Sequence, residues 1–150
     1  MNETTLRDFF LGVVGPAELA RDVENAIENI DEIRQVVRVR DLDSEFHINR
    51  QMLVRLCDTV LAGELPPASL EPIAFVLLTS DRFDWEEDYL LADVLNDWNS
   101  PVINYPLTLS NIERCKRWLL EVEPHPQRPP LDPNAPQGKL IYERHRVKLP

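Results

Sequence analysis

The chain has 150 residues, 43% of them hydrophobic, and a formal net charge of −10; a domain of this length hides roughly 70% of its unfolded surface and supports a core without staples. No apolar run approaches the roughly 20 residues that span a bilayer, and Met1-Asn2-Glu3-Thr4-Thr5 lacks the basic start of a signal peptide, with Asp8 interrupting any apolar segment. Residues 1–123 hold 24 acids and 11 bases whereas residues 124–150 hold two acids and five bases, an acidic body that repels nucleic-acid phosphates and attracts basic surfaces. The expectation is one cytoplasmic protein without membrane or direct nucleic-acid contacts, organised as an acidic domain (1–123) and a basic, Pro-rich tail (124–150), extended or packed on it.

Taken in chain order, the elements are mostly helical. Thr5 is placed to cap a short helix carrying Leu6, Phe9 and Phe10, and Gly15-Pro16 separates it from a second. In that second helix Leu19, Val23, Ala26, Ile27, Ile30 and Ile33 form the apolar stripe. From Val36 the pattern turns towards alternation, so residues 36–48 read as a short hairpin or an extended link. Asn49 caps the next helix, in which Met52, Leu53, Leu56, Val60 and Leu61 face inward and Gly63 ends it. Pro66-Pro67 breaks the chain, Ser69 caps a helix with Pro72 in its first turn, and Ile73-Ala74-Phe75-Val76-Leu77-Leu78 is apolar all round, as in a central buried element. A last helix from Ser110 carries Ile112, Cys115, Trp118, Leu119 and Val122 until Pro124 stops it. Six prolines between 124 and 138 exclude a helix there. Lys139 to Leu149 reads as a strand against the domain or against residues 36–48, or as a basic end. Cys57 and Cys115 fall on or near apolar stripes, where small buried thiols usually lie.

The segment from Arg82 to Trp98 concentrates acids and aromatics. Asp84 followed by Glu87 forms an acidic capping pair that starts a helix at Trp85. At about 100° per residue, Leu91, Val94, Leu95 and Trp98 gather on a core side, while Glu86, Asp93 and Asp97 line another with Tyr89 beside them. Three like charges at such spacing repel slightly. They answer either to solvent, the commoner situation on a surface helix, or to a partner.

Catalytic and cofactor signals are thin. His47 and Cys57 lie ten positions apart with no orienting group, and the acid pairs of Glu86-Glu87-Asp88 and of Asp41 and Asp43 come without a complementary histidine. His125 and His145 lie in the tail without close metal-ligand spacing. Asp41-Leu42-Asp43-Ser44-Glu45 lacks the glycine and terminal glutamate of a calcium loop. The four glycines, at 12, 15, 63 and 138, build no phosphate cradle. No catalytic residue, metal or cofactor is expected, and the chain reads as a non-enzyme.

Leu6-Arg7-Asp8-Phe9-Phe10-Leu11-Gly12 followed by Pro16-Ala17-Glu18-Leu19, with Ser80-Asp81-Arg82-Phe83-Asp84-Trp85 and Asn104-Tyr105-Pro106-Leu107-Thr108, resembles small bacterial immunity proteins of the colicin-like and contact-dependent inhibition systems. The resemblance spans residues 6–120 and transfers no functional residue. It implies a compact, mainly helical cytoplasmic protein that binds a cognate nuclease or other toxin domain and blocks it.

The expectation is therefore a mainly α, single-domain bundle of five to six helices, with room for a small β element at residues 36–48 and 139–149. Its function is expected to be binding of a basic protein partner, such as a toxin nuclease domain, through Trp85, Glu86, Tyr89, Asp93 and Asp97, with Asp81, Asp84 and Asp88 adding to the field. The alternative is a structural or regulatory assembly module that self-associates through Trp98, Trp118 and the tail.

Overall fold

The computed structural model describes residues 1–126 and 141–147. Helix α1 (Glu3–Phe10) is capped by Asn2, whose side chain accepts the Thr4 amide at 3.0 Å, in place of Thr5. The start moves because Asn2 bridges to Arg40 in parallel, with Glu3 N–H donating to the Arg40 carbonyl at 2.9 Å, so the chain leaves an extended contact directly into helix. Gly12, at φ 78, supplies the left-handed turn after α1. Gly15 and Pro16 then open α2 (Pro16–Ala26), where Leu19, Val23 and Ala26 are buried.

Helix α2 stops at Ala26, short of the expected stripe. Ile27–Asn29 is strand β1, antiparallel to β2 (Arg34–Val39) with Ile27 opposite Val37. The Asp31 carboxylate makes the reversal by accepting the Ile33 and Arg34 amides at 3.0 and 2.8 Å, and Ile30 and Ile33 end up exposed in this turn. The alternation of Val37-Arg38-Val39 is thus real, but its partner lies upstream rather than within residues 36–48. Phe46–His47 forms a separate two-residue strand, β3.

Asn49 caps α3 (Arg50–Leu61), accepting the Met52 amide at 3.1 Å, and Gly63 at φ 77 closes its end. A 3₁₀ turn (Pro67–Ser69) leads into α4 (Leu70–Thr79); Ser69 makes no side-chain cap there, while Pro72 sits in the first turn as expected. Leu70, Ile73, Ala74, Val76 and Leu77 are fully buried, which makes α4 the central helix, and each of the leucine, isoleucine and valine side chains contributes ~1.5–3 kcal/mol by leaving water. Phe83–Asp84 (β4) pairs in parallel with β3, then α5 (Tyr89–Asn99) packs on α4. Helix α6 (Leu109–Leu119), capped by Thr108, packs on α3. It ends before Val122, which is exposed.

Strand β5 (Ile141–Arg146) completes a three-stranded sheet of order β1-β2-β5, running parallel to β2 from Arg34 opposite Ile141 to Val39 opposite Arg146. The fold is mainly α with a small β portion, and the sheet makes it more than a helical bundle. Residues 127–140 of the Pro-rich stretch, with Lys148–Pro150, lie outside the described residues. Leu6, Phe9, Leu19, Leu53, Leu56, Ile73, Leu77, Leu91, Trp98 and Trp118 belong to one continuous core, and Cys57 and Cys115 are buried in it as free thiols. No described helix is long and apolar enough to cross a membrane.

Candidate functional site

The acidic aromatic segment is built differently from a helix that starts at Trp85. Asp84 is drawn into strand pairing: Phe46 N–H donates to the Arg82 carbonyl and Ile48 N–H to the Asp84 carbonyl, both at 2.8 Å. Beneath this bridge, buried Phe83 meets Phe46 edge to face at 6.0 Å. With its backbone committed to β4, Asp84 cannot cap, and the turn Trp85 to Asp88 closes by Asp88 N–H to the Trp85 carbonyl at 3.2 Å. Asp88 is the cap of α5 instead, accepting the Leu91 amide at 3.2 Å. The expected capping pair of Asp84 and Glu87 does not form.

Two polar clamps hold this turn. Arg50, in the first turn of α3, grips both Asp88 oxygens at 2.8 and 3.0 Å and reaches Glu121 at 2.8 Å. The guanidinium holds the Asp88 carboxyl below its ordinary 3.8, despite burial acting the other way, and Arg50 is held more firmly protonated. On the other side His47 Nδ1 lies 3.0 Å from Asp84 Oδ1, and that hydrogen bond raises the imidazole above its ordinary value, with Glu86 adding a smaller push.

Between the clamps, Glu86 adopts φ 52, the left-handed region that costs a non-glycine residue roughly 1–2 kcal/mol. Glu86 and Glu87 are exposed and make no salt bridge or hydrogen bond among the described residues. Tyr89 is 76% exposed at the start of α5, and Trp85 is half-buried against the core margin. Asp93, one turn after Tyr89, is half-buried.

Asp97 requires correction. It is 1% exposed, and His125 Nε2 approaches its Oδ2 at 2.9 Å, so it is unavailable to a partner in this arrangement. The reason is rotational: Asp97 lies about 60° around the helix from fully buried Val94, on a flank covered by the chain leaving α6. The expected stripe of Glu86, Asp93 and Asp97 is broken at both ends, since Glu86 precedes the helix and Asp97 faces inward. Leu91, Val94, Leu95 and Trp98 are core, as the periodicity required.

The other groups singled out in the sequence fall into structural places. His47 is half-exposed and bound to Asp84, whereas Cys57 is fully buried, so no hydrogen bond joins them. Burial drives the Cys57 thiol well up and pushes Cys115 up to about 11, which keeps both protonated and unreactive. Asp41 pairs with Arg144 and Arg146, and no group of three or more potential metal-ligating side chains occurs among the described residues. Trp98 and Trp118 are each 1% exposed and cannot serve as self-association anchors. Trp118 instead packs against His125 with ring centres 4.7 Å apart.

Two concavities lie away from the acidic turn. One cleft of about 230 Å³ is lined by Met1, Asn2, Asp22, Arg38 and Arg40, and an open groove of about 450 Å³ by Ala68, Glu71, Val102 and Leu107. Residues 84–89 line neither of these two. Sequence reasoning missed Arg50 and Glu3 as key polar residues. Arg50 immediately follows the Asn49 cap, but nothing local distinguishes an arginine that reaches 38 residues along the chain from a solvated one.

The architecture defines a mainly α domain with a small mixed sheet and an acidic turn braced by the Arg50–Asp88 and His47–Asp84 contacts. No protein-family model, curated protein or solved structure matches the chain.

Proposed function

We propose that the protein is a stoichiometric protein-binding inhibitor that neutralises a basic bacterial toxin domain, as an immunity protein does. The observation that carries this reading is the turn Trp85–Asp88. Two exposed glutamates, which make no salt bridge or hydrogen bond among the described residues, stand on a backbone held by the clamps of Arg50 with Asp88 and His47 with Asp84, beside an exposed tyrosine. Rigid presentation lowers the ordering cost of binding, the charges speed encounter with a basic surface, and Tyr89 supplies an aromatic anchor. The surface now comprises Trp85, Glu86, Glu87 and Tyr89, with Asp93 at its edge and Asp97 removed. The protein itself performs no chemistry in this reading.

The test pairs the protein with the basic toxin domain encoded beside it, where the adjacent gene encodes one. Glu86→Lys with Glu87→Lys should weaken binding by about 2 kcal/mol or more and flatten its salt dependence, and should abolish protection in co-expression. Unchanged affinity and salt slope in the folded double variant would remove this surface. The assembly reading keeps one feature, the exposed Val102 and Ile103 beside the open groove, and a concentration-dependent homo-oligomer in sedimentation without any toxin would favour it.

A further inference from the structure

Strand β5 is held in a way that its position in the sheet does not require. Arg144 is 9% exposed, and its Nη2 donates to Glu3 at 2.9 Å and to Asp41 at 2.6 Å, while Nη1 donates to the Val76 carbonyl and the Thr79 hydroxyl, each at 3.1 Å. Glu3 is fully buried, and Ser80 donates a further hydrogen bond to it at 2.8 Å. Arg146 pairs with Asp41 and Asp81 at the mouth of the same notch. Contributions from α1, the end of β2, and α4 with its following loop thus converge on two arginines of one extended segment. That is the chemistry of arginine recognition: a planar donor fork met by carboxylates and a backbone carbonyl.

The hold is polar. Among the described side chains of β5 and Val147, Arg144 alone is nine-tenths buried, while Glu143, His145, Arg146 and Val147 stay partly or largely open to solvent. Arg144 Nε is buried without a hydrogen-bond partner among the described residues, so the fork is not fully satisfied. Pairing occurs along β2, and β5 follows a stretch with six prolines between residues 124 and 138. The ion pairs of half-exposed Arg146 with Asp41 and Asp81 are screened by salt, and an edge strand opens locally at lower free energy than the core. If β5 leaves, the edge of β2 and the carboxylates of Glu3, Asp41 and Asp81 are uncovered together, and Asp81 is three residues from Asp84 of the acidic turn.

We infer that Glu3, Asp41 and Asp81, with the edge of β2, form a recognition site for an arginine-bearing extended segment. Strand β5 fills it in cis as an autoinhibitory ligand, and a basic strand of the protein partner fills it in trans. The inference rests on the reading of the partner as a basic protein, and it adds a second recognition element to that reading. The cis ligand sets a threshold: a partner segment binds with its intrinsic affinity reduced by the fraction of molecules in which β5 has opened.

The probe is a synthetic peptide of residues 141–147, Ile-Tyr-Glu-Arg-His-Arg-Val, added to the full chain. Arg144→Ala in the chain should free the notch, so the variant binds the peptide saturably and about tenfold or more tighter than the native chain does. The same peptide with alanine at the Arg144 position should not bind. Hydrogen exchange on the native chain supplies the measurement that does not depend on a variant folding. The β5 amides should exchange about tenfold or more faster than those of α4, and faster still between about 0.05 and about 0.5 M NaCl, with α4 unchanged. Protection of β5 equal to that of α4, or a folded Arg144→Ala chain that ignores the peptide, would overturn the proposal. A stable dimer with β5 exchanged between copies would identify a second copy as the trans occupant and overturn the assignment to a partner. Glu86 and Glu87 take no part in the notch contacts, so failure here leaves their charge-reversal result to decide the parent reading independently.

Discussion

Replacing Asp88 by asparagine separates two jobs that a single carboxylate performs, capping α5 through the Leu91 amide and binding Arg50 in a bidentate pair. Asparagine caps about as well as aspartate, so Asp88→Asn keeps the first and loses the charge of the second. Asp88→Ala loses both. The side chains of Asp88 and Arg50 are 24% and 33% exposed, so the pair is only partly screened, and about 1–2 kcal/mol is the expected loss for asparagine. Alanine adds about 1 kcal/mol for the missing cap, and at this chain length each kcal/mol lowers Tm by roughly 2–4 °C. The sign with pH follows from the direction of the shift. The folded-state pKa of Asp88 lies below its ordinary 3.8, so its stabilisation is fully present above that value and is lost as pH falls through the depressed folded value. Urea unfolding followed by circular dichroism should therefore show native and Asp88→Asn stabilities differing by about 1–2 kcal/mol at pH 7 and converging as pH falls from the ordinary carboxylate range through the depressed folded value. Arg50→Ala measured alone and with Asp88→Asn closes a double-mutant cycle. The reasoning fails if the difference between the asparagine variant and the native chain stays constant as the pH is lowered until the native chain itself unfolds, or if the cycle shows no coupling.

Glu86→Gly should leave stability unchanged or raise it by up to about 1 kcal/mol, because relief of the positive φ outweighs or balances glycine's extra unfolded-state entropy. The same variant removes the carboxylate, so it also weakens partner binding, and calorimetry with titration reads both effects. Gly63→Ala should cost about 1 kcal/mol from its φ of 77 alone, since nothing lies within 4 Å of the added carbon; a cost above about 3 kcal/mol would point to a contact rather than the backbone. Leu77→Ala, at a fully buried position of the central helix, should cost about 2–5 kcal/mol in urea unfolding. Native protein at pH 8 should react with a thiol reagent at Cys57 and Cys115 only as fast as the fold opens, and prompt modification of either cysteine would contradict their burial.

Much of the fold is local in origin and was legible as such. Asn49, Gly63 and the Gly15-Pro16 pair mark boundaries because their effects act on the nearest turn of backbone. The stripe Leu91, Val94, Leu95 and Trp98 and the all-apolar face of α4 announce burial because helical spacing alone brings such residues to the core. Of the residues that helical spacing set on the acidic side, Glu86 and Tyr89 are exposed and Trp85 is half-buried, whereas Asp97 is buried.

What only the tertiary structure decided depends on groups distant in the chain. Asp84 has every local qualification for a cap, yet Phe46 and Ile48 take its neighbourhood into strand pairing, and the helix starts four residues later at Asp88. Ile27 to Ile33 continues a helical stripe on paper, but pairing with β2 satisfies those backbone groups instead. Asp97 looks solvated until His125 folds over it. Glu3 and Arg144, separated by 141 positions, form a buried pair that no periodicity encodes. The amino-acid sequence by itself determined caps, turns and apolar stripes, where free energies are set within a few residues. Tertiary contact alone decided which polar groups are buried and which charges remain for a partner, because burying a charge is tolerable only once a distant partner arrives.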